Sequence, residues 1–169
     1  MGLHRLERKK RIEGFQGEYR WLSNFWPVTI QINSHIFPST ENAYQALKFH
    51  NHTRYLFEKC SPGDAKKMAR LISNIQRPDW DSIKINTMIM VNEFKYGQNP
   101  ELCEKLLNTG DAYIEETNKW GDTFWGVSKG IGENNLGKIL MGIRDQLRTV
   151  EGVTTLNKRI EFNRKNYSV

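Results

Sequence analysis

The most informative stretch of the chain runs from Trp120 to Gly137 and reads WGDTFWGVSKGIGENNLG. Its five glycines exclude a regular helix, because each costs roughly 1 kcal/mol in a helix interior, and glycine weakens a strand as well. We therefore predict a loop, in which glycine lets the backbone approach a ligand and Trp offers a flat apolar surface for stacking. The carboxyl group of Asp122 would lie between the aromatic side chains. A surface loop anchored by two buried tryptophans fits these residues equally well.

Patterns on both sides of this loop predict a helix-rich domain. Residues 28–32 alternate and are β-branched, and the chain turns at residues 33 and 34 and returns over 35–37, which predicts a hairpin. Capping residues and apolar periodicity predict five helices. They cover residues 41–50, a segment that begins at Ser61, residues 79–96, the segment from Asn99 to Gly110, and residues 136–148. The last of these helices is predicted to be capped by Asn134 or Asn135. Residues 112–117 are predicted to form a short strand. The predicted fold class is α+β: a single helix-rich domain with a small antiparallel β-sheet.

Composition and charge limit the possible functions and locations. The 169 residues are 38% apolar and carry a net charge of +6. They contain no apolar run long enough for a membrane span and no signal peptide, so we expect a cytoplasmic protein without a membrane partner. Much of the charge lies at the ends, which divides the chain into a basic arm (1–12), a domain (13–148) and a basic tail (149–169). Basic ends favour nucleic acid or phosphorylated ligands, although solvated and partly mobile ends are the more frequent explanation.

The cysteines and histidines indicate neither a disulfide nor a metal site. Cys60 and Cys103 lie far apart and have no neighbouring His pair, so we expect free thiols. His50 and His52 have a spacing that can chelate a metal, but no third ligand is evident near them. We predict no metal site.

The predicted helix that begins at Glu41 has a polar face suited to chemistry. At 100° per residue, Tyr44, Gln45 and Lys48 share one face with Glu41, and the opposite side, directed to the core, carries Ala43, Ala46 and Leu47. The polar face then meets solvent, which is the usual case, or lines a cleft. Tyr44 would be unusual on open solvent, and the helix dipole stabilises an anion in the first turn. In a cleft, the carboxylate could stabilise a sugar cation while the lysine holds phosphate.

Seven short motifs give the chain a family resemblance. In order they are LSNF (22–25), PSTENAYQALKF (38–49), SP with AK (61–62 and 65–66), FK (94–95), LNTG (107–110), WGD (120–122) and NNLGKILM (134–141). Each motif is weak alone, but the seven in this order are specific. The chain resembles the NADAR family, also called YbiA-like, from about Phe15 to Leu147.

The resemblance implies a single α+β domain that hydrolyses N-glycosidic bonds. The implied substrates are phosphoribosylamino-pyrimidine intermediates of riboflavin synthesis, or ADP-ribose attached to a base or a related NAD-derived glycoside. Carried over by motif, Glu41 is the principal catalytic carboxylate, Asp122 is its partner and Trp120 stacks on the base or sugar. The residues that we assign to substrate binding are Arg20, Ser23, Asn24, Tyr44, Lys48, Trp120, Trp125 and Asn134. After Trp-Gly-Asp the chain continues with bulkier aromatic residues than the riboflavin-type pattern, which leaves the substrate open.

The expected mechanism follows other glycoside hydrolysis, in which positive charge develops on the ribose ring carbon. Glu41 would stabilise that cation or act as base, and Asp122 would orient water or substrate, with the two roles interchangeable. This reaction needs no metal or redox cofactor. The partner would be a phosphorylated small-molecule N-glycoside or ADP-ribosylated nucleic acid; the sequence predicts no oligomeric state. Two alternatives stay open: a module that binds ADP-ribose or a nucleotide without cleaving it, and a nucleic-acid-binding protein that uses its basic ends and aromatics.

Overall fold

The structure is a computed structural model that describes residues 10–166. This part of the chain forms six α-helices and three two-stranded sheets. The helices are α1 (Thr40–Ala46), α2 (Pro62–Leu71), α3 (Trp80–Gly97), α4 (Pro100–Leu107), α5 (Asn135–Leu147) and α6 (Val150–Asn166). The strands are β1 (Arg11–Glu13), β2 (Pro27–Ile32), β3 (His35–Ser39), β4 (Tyr113–Glu115), β5 (Thr117–Asn118) and β6 (Val127–Ser128). Short 3-10 helices cover Gly17–Leu22, Asn51–Phe57 and Ser73–Ile75. The predicted α+β class with predominant helix is confirmed.

The hairpin of β2 and β3 leads directly into α1. The two strands pair antiparallel, and Asn33 has a left-handed φ of 54° in the turn between them. Ser39 ends β3 and caps α1, because its Oγ accepts a hydrogen bond from the backbone N–H of Asn42 at 3.1 Å. The hairpin and the cap are confirmed, and together they fix where the first turn of α1 lies.

Helix α1 is shorter than the sequence predicts. The expectation of a helix to His50 is wrong, because α1 ends at Ala46. The amides of Lys48 and Phe49 bond to carbonyls three residues back, which tightens the chain into a turn. Phe49 is fully buried, and the Lys48 carbonyl accepts the amide of Arg77 at 2.9 Å. The turn therefore joins α1 to the segment that precedes α3.

Parallel strand pairing is a feature that the sequence does not predict. Besides the antiparallel hairpin, β1 pairs in parallel with β4, and β5 pairs in parallel with β6. The partners β1 and β4 lie about a hundred residues apart, so no local pattern specifies their pairing. The chain between β5 and β6 is the first part of the predicted loop, and it returns to lie beside the strand that it leaves. Strand β6 and the first residues of α5 therefore lie within the stretch that was predicted to be a loop.

Helix α3 is the centre of the packing. It contacts α1, α4, α5, α6 and β2, and its C-terminal half is buried on every side, including Val91 and Phe94 at zero exposure. A helix that is surrounded in this way needs apolar side chains around most of its circumference. The core consequently extends from α3 to the inner face of the hairpin and to α5.

The C-terminal segment forms a helix, not the solvated and partly mobile tail that composition suggests. Leu156 is 1% exposed in α6, and Val153 and Ile160 pack against the core. Gly97 makes room for Ile160, since a Cβ at that position would collide with its Cδ1. The Arg159 guanidinium bonds to the buried Glu93 carboxylate. Part of the basic charge is therefore used inside the fold.

The N-terminal arm lies almost wholly outside the described residues. Of the predicted arm, residues 10–12 are described, and Arg11 and Ile12 belong to β1. Within residues 10–166, no helix combines the length and the apolar character that crossing a membrane requires.

Candidate active site

Helix α1 places its polar face inside the protein. Every residue of the helix is buried, and Glu41 is 7% exposed. Gln45, one turn further along, donates from Nε2 to Oε1 of Glu41 at 2.7 Å. The alternative of a solvated face is therefore wrong. The Glu41 carboxyl, the Gln45 amide and the Tyr44 phenol lie together inside the protein.

Burial dominates the electrostatics of Glu41. Loss of solvation raises its pKa, and the nearby Asp122 carboxyl raises it further. The Gln45 hydrogen bond and the charges of Lys66 and Lys48 act in the opposite direction without cancelling the effect of burial. The pKa of the half-buried Lys48 ammonium is lowered, again mainly by burial. The pKa shifts of Glu41 and Lys48 thus both favour the neutral forms, so Lys48 compensates the buried carboxyl only in part.

Aromatic side chains surround Tyr44 and Lys48 of this site. The Tyr44 ring makes edge contacts with Trp80 at 5.1 Å and with Trp125 at 5.7 Å between ring centroids. The Lys48 Nζ lies 5.5 Å from the Tyr44 centroid and 5.6 Å from that of Trp80, within the range of a cation–π contact. Sequence reasoning missed Trp80, because it stands at the start of a predicted helix without a motif.

The predicted loop holds Asp122 by its own backbone. Oδ1 of Asp122 accepts the amides of Phe124 at 3.1 Å and Trp125 at 2.8 Å. The Asn118 side chain bonds the Asp122 backbone on both sides, accepting its N–H at 3.0 Å and donating to its C=O at 2.7 Å. Asp122 thereby acts on Glu41 electrostatically while it organises the turn.

The two tryptophans of the loop occupy different environments. Trp125 is half-buried against Tyr44, whereas Trp120 is 69% exposed. The alternative of a loop anchored by two buried tryptophans is therefore wrong for Trp120. Its exposed ring stays available for stacking on a ligand.

Glu116 is a third carboxyl of the site that sequence reasoning missed. It is half-buried between β4 and β5, and burial raises its pKa to about 7. Asp122 and Glu41 raise the pKa as well, while Lys66 lowers it. Lys66, on α2, was missed too, and it acts on both Glu41 and Glu116. A signal for Glu116 was present, since a strand over residues 112–117 places it on the same face as Ile114.

Ser23 and Asn24 lie beside the N-terminus of α1. The Asn24 carbonyl accepts the amide of Glu41 at 2.9 Å, and its Nδ2 contacts the Met88 sulfur at 3.2 Å. Ser23 Oγ accepts the amide of Phe25 at 3.1 Å. These residues support Glu41 through the backbone. Arg20 is exposed on the preceding 3-10 helix, and the cations that act on Glu41 are Lys66 and Lys48.

Asn134 connects the strand of Glu116 to α5. Its Oδ1 accepts the amide of Glu116 at 3.0 Å, and its Nδ2 donates to the Ile114 carbonyl at 2.9 Å and to the Tyr113 hydroxyl at 3.1 Å. The expectation that Asn134 caps α5 with its side chain is wrong, because it has a left-handed φ of 53° and makes no such bond. The side chain is occupied by the strand instead.

A buried lysine holds the loop that contains Ser23. Lys95 is fully buried in α3, and its Nζ donates to the carbonyls of Leu22 at 3.2 Å and Ser23 at 2.9 Å. Burial lowers its pKa to about 7. The lysine thus spans the distance between the central helix and the loop beside Glu41.

The described residues show no alternative chemical centre of comparable quality. Within residues 10–166, no three His, Cys, Asp or Glu side chains are arranged to hold a metal ion, and both cysteines are free. A depression of about 660 Å³ lies between the hairpin turn and α6, lined by Gln31, Asn51 and Arg164 among others. Glu41 is not among the residues that line this depression, which is open to solvent. We place the site at Glu41, where buried charges and aromatic rings converge.

Comparisons with known proteins find relatives in sequence and in structure. The family model of the NADAR domain matches residues 12–148. An N-glycosidase of Nostoc punctiforme is 32% identical over 142 residues, covering 80% of this chain and 90% of that protein. A riboflavin biosynthesis protein of Vibrio vulnificus is 36% identical over 133 residues, 76% of this chain; the chain spans 35% of that protein's length.

The fold is also similar to that of a solved relative. The NMR structure of Escherichia coli YbiA superposes with a TM-score of 0.74 at 32% identity, covering 83% of this chain and 86% of YbiA. The curated E. coli protein is named N-glycosidase YbiA and is 34% identical over 133 residues, 77% of this chain and 82% of its own.

Proposed function

The chain belongs to the NADAR domain family, and we propose that it hydrolyses the N-glycosidic bond of a phosphoribosyl or ADP-ribosyl compound. Its assignment as an N-glycosidase follows from the family match and from relatives that carry that name. The substrate is the part of the proposal that depends on the site. The observation that carries it is the buried Glu41 carboxyl, set between lysines and aromatic rings.

Glu41 has the position that the reaction requires. Breaking an N-glycosidic bond leaves positive charge on the ribose ring carbon, and a carboxylate close to that carbon stabilises it. The Gln45 amide holds the Glu41 carboxyl in one orientation, so little reorganisation is needed when the charge develops. Asp122, on the facing loop, would orient the water or the substrate.

The surroundings of Glu41 suit a phosphorylated ribosyl compound. Lys48 and Lys66 provide positive charge for a phosphate beside the carboxyl. The rings of Trp80, Tyr44 and Trp125 provide apolar walls for a sugar or base, and the exposed Trp120 provides a stacking surface.

Two substrate classes share this chemistry. One is the phosphoribosylamino-pyrimidine class of riboflavin synthesis, supported by the Vibrio relative that is named for that pathway. The other is ADP-ribose on a base, free or within nucleic acid. Both present a phosphorylated ribose whose anomeric carbon bears a nitrogen, so both use the same lysines and carboxyls.

Mass spectrometry of the products tests the proposal. The purified full chain is incubated with a panel that contains the phosphoribosylamino-pyrimidine, NAD, and ADP-ribosylated guanine in DNA or RNA. Wild type is compared with Glu41→Gln and with Glu104→Gln, which makes the same change at an exposed position of α4. We expect release of ribose phosphate or ADP-ribose by wild type and the control, and loss of turnover with retained binding in Glu41→Gln. Binding of a panel member without release by wild type would overturn the proposal in favour of a binding module.

A further inference from the structure

We propose that Glu116 is the general acid of this site, whose carboxyl group gives its proton to the leaving nitrogen while Glu41 stabilises the ribosyl cation. This inference rests on the proposed function, because it assigns a role within that reaction. It starts from the placement of the Glu116 side chain, which folding alone does not explain.

Hydrogen bonds fix the Glu116 backbone. Glu116 is the single residue between β4 and β5, and both Ile114 in β4 and Asn118 in β5 are buried. The backbone is held on two sides, since the Glu116 amide donates to Asn134 at 3.0 Å and its carbonyl accepts the Val127 amide at 2.9 Å. These two bonds hold the Glu116 backbone beside the loop that contains Asp122.

Gly126 brings the loop against the Glu116 carboxyl. A Cβ at position 126 would collide with the carbonyl oxygen and Oε2 of Glu116, and with the Asn118 amide nitrogen. The backbone approach at Gly126 thus requires glycine. The contact covers Oε2 of Glu116, which is buried and has no hydrogen-bond partner among residues 10–166.

An unpaired buried oxygen favours the protonated carboxyl. Burying an ionised carboxylate without hydrogen bonds is far more costly than burying the neutral acid. The nearby charges also favour the neutral form. Three charged groups act on Glu116: the carboxyls of Asp122 and Glu41 raise its pKa, and Lys66 alone lowers it. With its pKa raised to about 7, Glu116 holds a proton in a large fraction of molecules at neutral pH.

Glu41 is better equipped than Glu116 to hold the negative charge. Its carboxyl accepts a hydrogen bond from Gln45 and faces two lysines, Lys48 and Lys66. Two carboxyls whose surroundings differ in this way divide the acid and base roles between them. Burial raises the pKa of both carboxyls, and at Glu41 the hydrogen bond and the two lysines partly offset that effect. We therefore place the proton of the pair on Glu116 and the negative charge on Glu41.

The step balances with water as the co-reactant. The bond between the ribose C1′ and the leaving nitrogen breaks, and its electron pair stays on the nitrogen, which takes the proton of Glu116. Water forms the new bond to C1′ and gives a proton to the Glu41 carboxylate. One neutral acid and one carboxylate remain, and exchange with solvent restores the starting arrangement.

The pH dependence of turnover provides the first test. On any neutral glycoside that wild type cleaves, we expect kcat to fall about tenfold for each pH unit above about 7, because the acid loses its proton. Glu116→Gln should be slower by about 100-fold or more at pH 6 and should lack this fall. Glu104→Gln should keep the wild-type profile.

The charge of the leaving group provides the second test. A pyridinium glycoside such as NAD leaves as a neutral ring without protonation, whereas an amino-pyrimidine or a guanine needs a proton. The loss of rate in Glu116→Gln should therefore be at least about tenfold smaller for NAD than for the neutral glycoside. If the variant does not fold, the pH profiles of wild type test the acid role by themselves. The fall in kcat above pH 7 should be present for the neutral glycoside and absent for NAD.

The two proposals fail in different ways. Absence of cleavage by wild type would overturn the proposed function and the acid role with it. Cleavage by a folded Glu116→Gln variant within about threefold of wild type, with an unchanged pH profile, would overturn the role of Glu116 alone.

Discussion

Replacing Glu116 by glutamine should raise the unfolding free energy relative to wild type, and this difference should be larger at high pH than at low pH. Raising a carboxyl pKa from 4.5 to about 7 means that ionised Glu116 costs about 3 kcal/mol in the folded state. A carboxyl with a raised pKa stabilises the folded state fully below pH 4.5, and this contribution is lost as the pH rises through about 7. Glutamine does not titrate, so the variant escapes the loss.

Urea unfolding at pH 5, 6, 7 and 8 measures this effect. Between pH 5 and pH 8 the difference in unfolding free energy between variant and wild type should move by about 2–3 kcal/mol in favour of the variant. Glu41 titrates in both proteins, so its contribution largely cancels in the difference. The exposed Glu104→Gln change is the matched control.

Parallel stability curves would refute the reasoning. If the difference between Glu116→Gln and wild type stays within about 0.5 kcal/mol across this pH range, the carboxyl is solvated in the folded protein. Its buried oxygen would then be no reason to assign it the proton. An opposite slope would mean that the ionised form is the one that the fold stabilises.

Four further changes test other parts of the structure. In wild type, the unfolding free energy should rise by about 2 kcal/mol between pH 7 and pH 9, because burial lowers the Lys95 pKa to about 7 and the unfolded chain binds the proton more tightly over that range. Lys95→Met should remove this rise, and urea midpoints at both pH values measure it. Asn134→Ala should destabilise the protein by about 2–4 kcal/mol in the same assay at pH 7, because it leaves the Glu116 amide and the Ile114 carbonyl without their partner, and a loss under 1 kcal/mol would contradict these bonds. Leu156→Ala should cost about 2–4 kcal/mol in thermal or urea unfolding if α6 belongs to the folded domain, and no change would show that the helix does not pack there. Trp120→Ala should raise KM with little change in kcat, and an unchanged KM would remove Trp120 from substrate binding.

Local elements were predictable because neighbouring residues decide them. Ser39 and Ser61 cap α1 and α2 as predicted, each with Oγ accepting an amide three residues on at 3.1 Å. The hairpin followed from alternation and a turn. Helix α6 was missed although Val153, Leu156 and Ile160 have helical spacing, because the charged residues between them dominate the composition.

The candidate site was predictable in part. The helical wheel placed Glu41, Tyr44 and Gln45 on one face, and the resemblance singled out Asp122. The wheel left the choice between solvent and cleft open, because the answer depends on α2 and α3, which pack over that face. Glu116 belongs to no motif, and Lys66 stands in a motif that assigned it no role; both act on Glu41 or are acted on by it from segments that lie far apart in the chain.

Local sequence was enough to predict the helices that begin at Ser39 and Ser61, the hairpin, the glycine-rich loop and the family. Each of these depends on contacts within a few residues or on the order of short motifs. The folded arrangement was needed to learn which carboxyls lie near one another and which of them is better placed to hold a proton. A pKa depends on burial and on the charges nearby, and in this protein Glu116 before β5, Lys66 on α2 and Asp122 in the loop after β5 come close to Glu41 from distant parts of the chain.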